Sequence, residues 1–327
     1  MKNFTLIFVL TICISFMASC VSAQVKTPSS EDPVYLFSYF KGNGKDGLHL
    51  AYSEDGMQWT SLKNDTSWLK PQVGDKLMRD PSICRGPDGM FHLVWTTGWW
   101  DQGIGLAHSK DLIQWSDQTF LPVMEHEPTA KNCWAPEIFY DKKTEQYIIF
   151  WATTIPDRFP ETENPEDDHN HRIYYVKTKD FRQFSKTKLF YEPGFNVIDS
   201  FIACDPQKDR YVMFLKNETK KPKTEKNIRV AFSDKVEGPY SDVSEPITGN
   251  YWAEGPSALY TNGRWIVVFD KYREHRYGAV TSKNLKDWQD ISDQVSFPKG
   301  ARHGTTFPIN RNVLNGLLKY SNQDQKD

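Results

Sequence analysis

The stretch Ser53-Glu54-Asp55-Gly56-Met57-Gln58-Trp59 decides the fold, because the chain repeats it. A small hydroxyl residue, a charged pair or turn and a closing aromatic return as Ser109-Lys110-Asp111-Leu112-Ile113-Gln114-Trp115 and as Thr178-Lys179-Asp180-Phe181-Arg182-Gln183-Phe184. A looser copy runs from Ser233-Asp234-Lys235 to Pro239-Tyr240, and the last is Ser282-Lys283-Asn284-Leu285-Lys286-Asp287-Trp288. The closing aromatics lie 56, 69, 56 and 48 residues apart. Five units at such a period signal a repeat architecture.

Each copy follows a strand-like run, such as Leu48 to Tyr52 or Ile173 to Val176, and precedes another short run. A period-2 pattern with turn residues between predicts antiparallel meanders. Units of this length, with about four strands each, predict an all-β, five-bladed β-propeller, in which radial repetition leaves only short edges. At the N-terminal end, 34–40, 47–53 and 57–62 supply three strands without an innermost partner. The segment Gly304 to Ile309 is expected to provide it, closing the ring by pairing the C-terminal strand with the N-terminal strands. The connections Thr97 to Gly103, Ala152 to His171, Leu215 to Asn227 and Asp270 to Arg276 are expected to surround one pocket. The second carries three prolines and many charges, and structureless insertions of that length are usually functional or mobile.

Residues 1–23 read as a signal peptide: Lys2 is a basic start, Phe4 to Phe16 is mostly apolar, and Val21-Ser22-Ala23 ends in small residues. Residues 24–327 then form a single propeller catalytic domain, exported to the periplasm or cell surface. Met17-Ala18-Ser19-Cys20 also reads as a lipoprotein box, so a membrane is a partner only if Cys20 is lipidated. No later segment reaches the roughly 18 consecutive apolar residues that a span requires. With 40 basic against 42 acidic residues, neither nucleic acid nor an acidic membrane is a natural electrostatic partner. Aromatic residues make up 14% of the chain, with 11 Trp, a load that suits sheet cores and sugar-stacking clefts. Cys84, Cys133 and Cys204 are odd in number and form no disulfide framework, so they are expected to be small core residues.

Taking the residue that opens each presumed inner strand gives Asp80, Glu137, Asp199, Glu254 and His303, separated by 57, 62, 55 and 49 residues. The repeat thus sets four acids and a histidine around one axis. Clustered carboxylates raise one another's proton affinity and are poor stabilisers, so the cluster is a functional candidate. A metal site or a polar water channel is the alternative. Glycoside hydrolysis fits the composition better, since it needs one carboxylic acid held protonated and one held ionised.

The segments Arg79-Asp80-Pro81-Ser82-Ile83, Trp134-Ala135-Pro136-Glu137-Ile138, Val197-Ile198-Asp199-Ser200, Ala253-Glu254-Gly255-Pro256 and Arg302-His303-Gly304-Thr305 together resemble glycoside hydrolase family 43. The match is spread over nearly the whole chain after the leader. The resemblance implies a five-bladed propeller that hydrolyses with inversion, with Asp80 as the general base, Glu254 as the general acid and Asp199 orienting the acid. Asp199 is followed by Ser200 where the family more often has Pro. Glu137 sits where the family often carries a carboxylate that contacts substrate or shapes the pocket, and His303 resembles an axial histidine that lies beneath the substrate or reaches a calcium ion through water. No cofactor is required, and calcium at the axis is optional.

Trp134 and Trp99 are expected to stack on the sugar, with Trp100 beside them, and Arg276, more than Arg273, to bond its hydroxyls. The run Asp167-Asp168-His169-Asn170-His171 reads as a solvated rim rather than a metal site. The expected function is exo-hydrolysis of terminal pentose residues from plant polysaccharide side chains, with α-L-arabinofuranose first, xylose second and an exo-β-galactosidase third. A non-catalytic carbohydrate-binding propeller is the competing class, and all three acids argue against it. A retaining β-fructosidase shares an Arg-Asp-Pro phrase but requires a Glu-Cys phrase that the chain lacks.

Overall fold

The computed structural model describes residues 33–163, 166 and 169–323. The proposed leader, Cys20, Asp167 and Asp168 lie outside the described residues. Five sheets radiate from one axis. The first blade, from the centre outward, is β19 (Ala301–Ile309), β1 (Val34–Lys41), β2 (His49–Ser53) and β3 (Thr60–Ser61). The second is β4 (Arg79–Arg85), β5 (Phe91–Thr96), β6 (Ile104–Ser109) and β7 (Thr119–Leu121). The third is β8 (Trp134–Asp141), β9 (Gln146–Thr154), β10 (His171–Thr178) and β11 (Lys188–Tyr191). The fourth has three strands, β12 (Val197–Asp205), β13 (Arg210–Asn217) and β14 (Asn227–Ser233). The fifth is β15 (Glu254–Thr261), β16 (Arg264–Lys271), β17 (Arg276–Ser282) and β18 (Gln289–Asp290).

The repeated phrase is the turn between third and fourth strands. Ser109 Oγ accepts from the N–H groups of Asp111 (3.2 Å) and Leu112 (2.8 Å), and Asp111 Oδ1 accepts from those of Ile113 and Gln114 (both 2.9 Å). Ser53 with Asp55, Thr178 with Asp180 and Ser282 with Asn284 do the same. Side-chain oxygens thus take over backbone donors that a tight turn would leave unpaired. The residue after the Asp or Asn is left-handed in each: Gly56, Leu112, Phe181 and Leu285 have φ of 75°, 66°, 58° and 60°.

The core is five wedges, one between each pair of neighbouring blades. Because side chains alternate across a strand, β1 sends Val34 and Leu36 to the second blade and Tyr35, Phe37 and Tyr39 to the fifth. β9 likewise sends Ile148 and Phe150 to the fourth blade and Ile149 and Trp151 to the second. Second strands are therefore buried on both faces and read as continuous apolar runs, not as the alternation expected from sequence.

The ring closes as expected, β19 pairing with β1 from Val34↔Ile309 to Lys41↔Ala301. Beyond it, α1 (Arg311–Gln323), which the sequence reading did not anticipate, lays Leu314 and Leu317 on the wedge between first and second blades. Ending the chain before Gly304 removes most of β19 and exposes the edge of β1. Such a truncate is expected to lose its cooperative thermal transition in calorimetry; a transition as sharp as that of the full chain would contradict closure as the source of cooperativity.

Candidate active site

Every inner strand begins with the same backbone irregularity. Two residues face one on the neighbouring strand: Asp80-Pro81 in β4, Ala135-Pro136 in β8, Asp199-Ser200 in β12, Gly255-Pro256 in β15 and His303-Gly304 in β19. In four of them the first bulged residue is left-handed, with φ of 50° at Asp80, 47° at Ala135, 52° at Asp199 and 59° at Gly255. A bulge bends its strand and re-aims a side chain. Here it brings Asp80, Asp199 and His303 into one layer at the axis: His303 Nδ1 lies 3.4 Å from Asp80 Oδ1 and 3.9 Å from Asp199 Oδ2.

Glu254 precedes its bulge and stands one residue nearer the pocket mouth; Glu137 follows its bulge and sits deeper. The five residues thus do not form one ring, as even spacing implied. Glu137 is buried in the axis, its two oxygens accepting from the hydroxyls of Ser82 (2.6 Å) and Thr305 (2.7 Å), the equivalents of Glu137 in two other inner strands. It is absent from the pocket wall, which corrects its expected contact with substrate.

The pocket is a cavity of about 230 Å³ lined by Asp80, Asp199, Glu254 and His303. Trp99, Trp134 and Tyr272 add aromatic surface, and Arg79, Lys216 and Arg302 add cations. Three of the four expected connections thus bound it, through Trp99, Glu218 and Tyr272, while among the described residues of the longest, His169 packs 4.9 Å from the ring of Trp134. Trp134 Nε1–H donates to the Trp99 carbonyl (2.9 Å), which fixes the two indoles edge to face. Trp100, largely exposed, packs on Trp134 outside the pocket. Arg79 lies between the rings of Trp99 and Phe40, 4.3 and 4.7 Å from their centres.

Arg276 is not at the pocket. Its guanidinium is held by Glu274 (2.9 Å) and Asp293 (3.2 Å) on the exposed edge of the fifth blade. Arg273 stacks over Trp252, 4.4 Å from the ring centre. The cations that do line the wall were missed as site residues because Lys216 ends an apolar run and reads as an ordinary strand terminus. Lys216 in β13 and Asp270 in β16 end second strands, directly opposite Ile198 and Glu254. The usable signal is a charge at the active-face end of a strand buried on both sides.

The three acids have different surroundings. Asp80 Oδ2 accepts from the Thr96 hydroxyl (2.9 Å), which itself accepts from the Ala135 N–H (2.9 Å). Asp199 Oδ2 accepts from the N–H of Gly255 (3.1 Å), the residue after Glu254. Burial lifts Asp199 to about 6, with His303 and Lys216 opposing and Glu254 and Asp80 adding to the rise. Glu254 is gripped by Lys216 Nζ at 3.2 Å and Arg302 Nη2 at 3.3 Å. Burial works against the charged form of His303, yet the carboxylates around it, Asp199 and Asp80 foremost, raise its proton affinity above the usual histidine range. Gly255 is required: a Cβ there would meet the His303 ring at 2.4 Å. Among the described residues no group of three or more His, Cys, Asp or Glu side chains is arranged to hold a metal ion.

The family model described as "Probable glycosyl hydrolase domain", a family-43-related group, matches residues 32–315. The chain belongs to this family. An α-L-arabinofuranosidase of Bifidobacterium longum subsp. longum is 22% identical over 223 residues, 61% of this chain and 21% of that protein. The match thus spans about a fifth of that relative's length. Two solved structures share the fold. A thermostable family-43 glycoside hydrolase aligns over 69% of this chain and 78% of its own at 14% identity, TM-score 0.54. An α-L-arabinofuranosidase from Lactobacillus brevis aligns over 65% and 72% at 18% identity, TM-score 0.51.

Burial pushes Glu137 up from 4.5 to about 7, against the two hydroxyls that donate to it. A carboxyl raised on folding stabilises most below its unfolded value and loses that contribution as pH rises through the folded one. The melting temperature is therefore expected to decline from pH 5 to pH 8 more steeply in the parent than in Glu137→Gln; parallel declines would show that Glu137 is not held neutral.

Proposed function

We propose that the protein is an inverting exo-glycosidase that removes terminal α-L-arabinofuranose from plant polysaccharide side chains. One observation carries the reading: three inner strands deliver Asp80, Asp199 and Glu254 to one small aromatic-walled cavity, each acid in a different setting. Inverting hydrolysis needs a base beside water and an acid beside the leaving oxygen. Asp80, oriented by Thr96 and faced by His303, is the base that takes a proton from the attacking water. Glu254, on the pocket wall, gives a proton to the leaving oxygen. Asp199 fixes the acid's backbone through the Gly255 N–H.

Trp99 and Trp134 offer apolar ring surface for a sugar face. Of the substrate contacts expected from sequence, these and His303 line the cavity and Arg276 does not, and Arg302 is a cation on the wall that could meet sugar hydroxyls in its place. The chemistry uses side chains and water alone; a calcium reaching His303 through water would be an addition to it. The basic, apolar start of the sequence supports a site of action outside the cytoplasm, at the periplasm or cell surface.

Glu254→Gln is expected to lose hydrolysis of poor leaving groups by about 10²- to 10⁴-fold, the usual share of general acid catalysis, while sparing activated aryl glycosides. Equal losses on both would remove Glu254 as the acid. Asp80→Asn should be inactive with every leaving group. On a panel of nitrophenyl glycosides the parent should turn over the α-L-arabinofuranoside fastest, and a preference for the β-xyloside or β-galactoside would overturn the choice of sugar.

A further inference from the structure

Charges alternate in an unbroken row, Lys226, Glu218, Lys216, Glu254, Arg302, Asp270, whose middle four members line the pocket. Lys226 Nζ bonds the Glu218 carboxylate and its backbone oxygen, the latter at 2.9 Å. Lys216 Nζ lies 2.6 Å from Glu218 Oε2 and 3.2 Å from Glu254 Oε2. Arg302 bridges Glu254 (3.3 Å) to Asp270 (2.8 Å). Lys216 and Glu218 are two residues apart and share one face of the chain where β13 ends.

A lysine buried to 4% exposure is costly in a pocket wall unless carboxylates surround it, and removing one partner leaves an uncompensated charge. Lys216 has two, with the ring of Tyr272 4.7 Å from its ammonium and Asp199 also acting on it. Its contact with Glu218 is the shorter. The ammonium is therefore shared between a carboxylate outside the proposed chemistry and the one inside it.

We propose that Lys216 and Glu218 are positioning residues that set the charge state of Glu254. The inference rests on reading Glu254 as the acid. An ammonium held wholly by Glu254 would favour the charged carboxylate, which cannot protonate a leaving group. Glu218 draws the ammonium aside, and Lys226 keeps Glu218 charged and in place to do so. Arg302 grips the other oxygen of Glu254 and is itself drawn toward Asp270, so the carboxylate has a competing anion on each flank. As the proton reaches Glu254, the Lys216 contact weakens and Glu218 retains the cation. No charge is then stranded in the wall, and the side chain stays where the leaving oxygen arrives.

The two residues therefore act in opposite directions, which a merely structural role would not do. Lys216→Met removes the cation and should move the basic limb of the kcat/KM profile on a glycoside with a poor leaving group, which needs the acid, to higher pH. Glu218→Gln leaves Lys216 to Glu254 and should move it to lower pH, each by about one unit, the low end of what a neighbouring opposite charge produces. Lys216→Arg retains the charge and should keep the limb near the parent's. Melting temperatures, recorded alongside, identify any variant that fails to fold; if Lys216→Met does, the sign of the Glu218→Gln shift decides alone. If Glu218→Gln also fails, Glu218→Asp, which keeps the charge but shortens its reach to Lys216, should move the limb to lower pH, and an unmoved limb in that variant would count against the proposal. Unmoved limbs, or limbs moving the same way, would overturn it. Failure of the underlying reading looks different, because Glu254→Gln would then lose good and poor leaving groups equally.

Discussion

Everything at the pocket depends on one backbone device: a two-for-one bulge at the head of each inner strand, opened in four of the five by a left-handed residue. An L-residue in that region costs about 1 to 3 kcal/mol unless the surroundings impose it, and Asp is among the residues that tolerate it best. Asp80 and Asp199 occupy the position themselves, so the bulge that bends the strand also aims the acid. In β15 the position falls to Gly255, which moves Glu254 one residue outward and leaves room for His303 against the glycine. One irregularity, repeated with different residues, sorts the carboxylates by depth.

Depth then sorts them by chemistry. Glu137, closed over by the hydroxyls of Ser82 and Thr305, is a neutral-leaning axial carboxyl that ties three inner strands together. Asp199 is buried but faces His303 and the backbone of the next blade. Glu254 meets solvent and two cations. Three carboxyl groups within a few strands of one another are thereby kept distinct, as a reaction needing both a proton donor and a proton acceptor requires. The wall of alternating charge lets this crowd of acids share a small cavity without an excess of one sign.

The repeat was legible because its turn is built from side chains. Ser109 and Asp111 bond the backbone locally, so the phrase must recur wherever the turn does. Closure was legible from the missing inner strand of the first blade. Asp80, Asp199 and His303 were placed correctly by spacing alone because all three occupy the first bulge position. Glu137 was misplaced for the same physical reason: in β8 that position belongs to Ala135, and counting acids instead of bulges shifts the register by two. Arg276 looked suited to the pocket by its place after a loop, but Glu274 and Asp293 hold it elsewhere. Lys216 and Asp270 could not be found by motif, since their importance comes from pairing across the sheet with Ile198 and Glu254. The helix α1 carries Val313, Leu314, Leu317 and Leu318 at helical spacing, a pattern that the search for strands passed over.

The central claim is that these acids lie around the cavity as a base and an acid acting from opposite sides of the sugar, with water between Asp80 and the anomeric carbon. The stereochemistry of the product tests it most directly. Proton NMR, recorded during the first turnovers on an α-L-arabinofuranoside before the free sugar equilibrates, should show the β-anomer appearing first. Initial release of the α-anomer would mean that a carboxylate attacks the sugar itself, and would contradict the account.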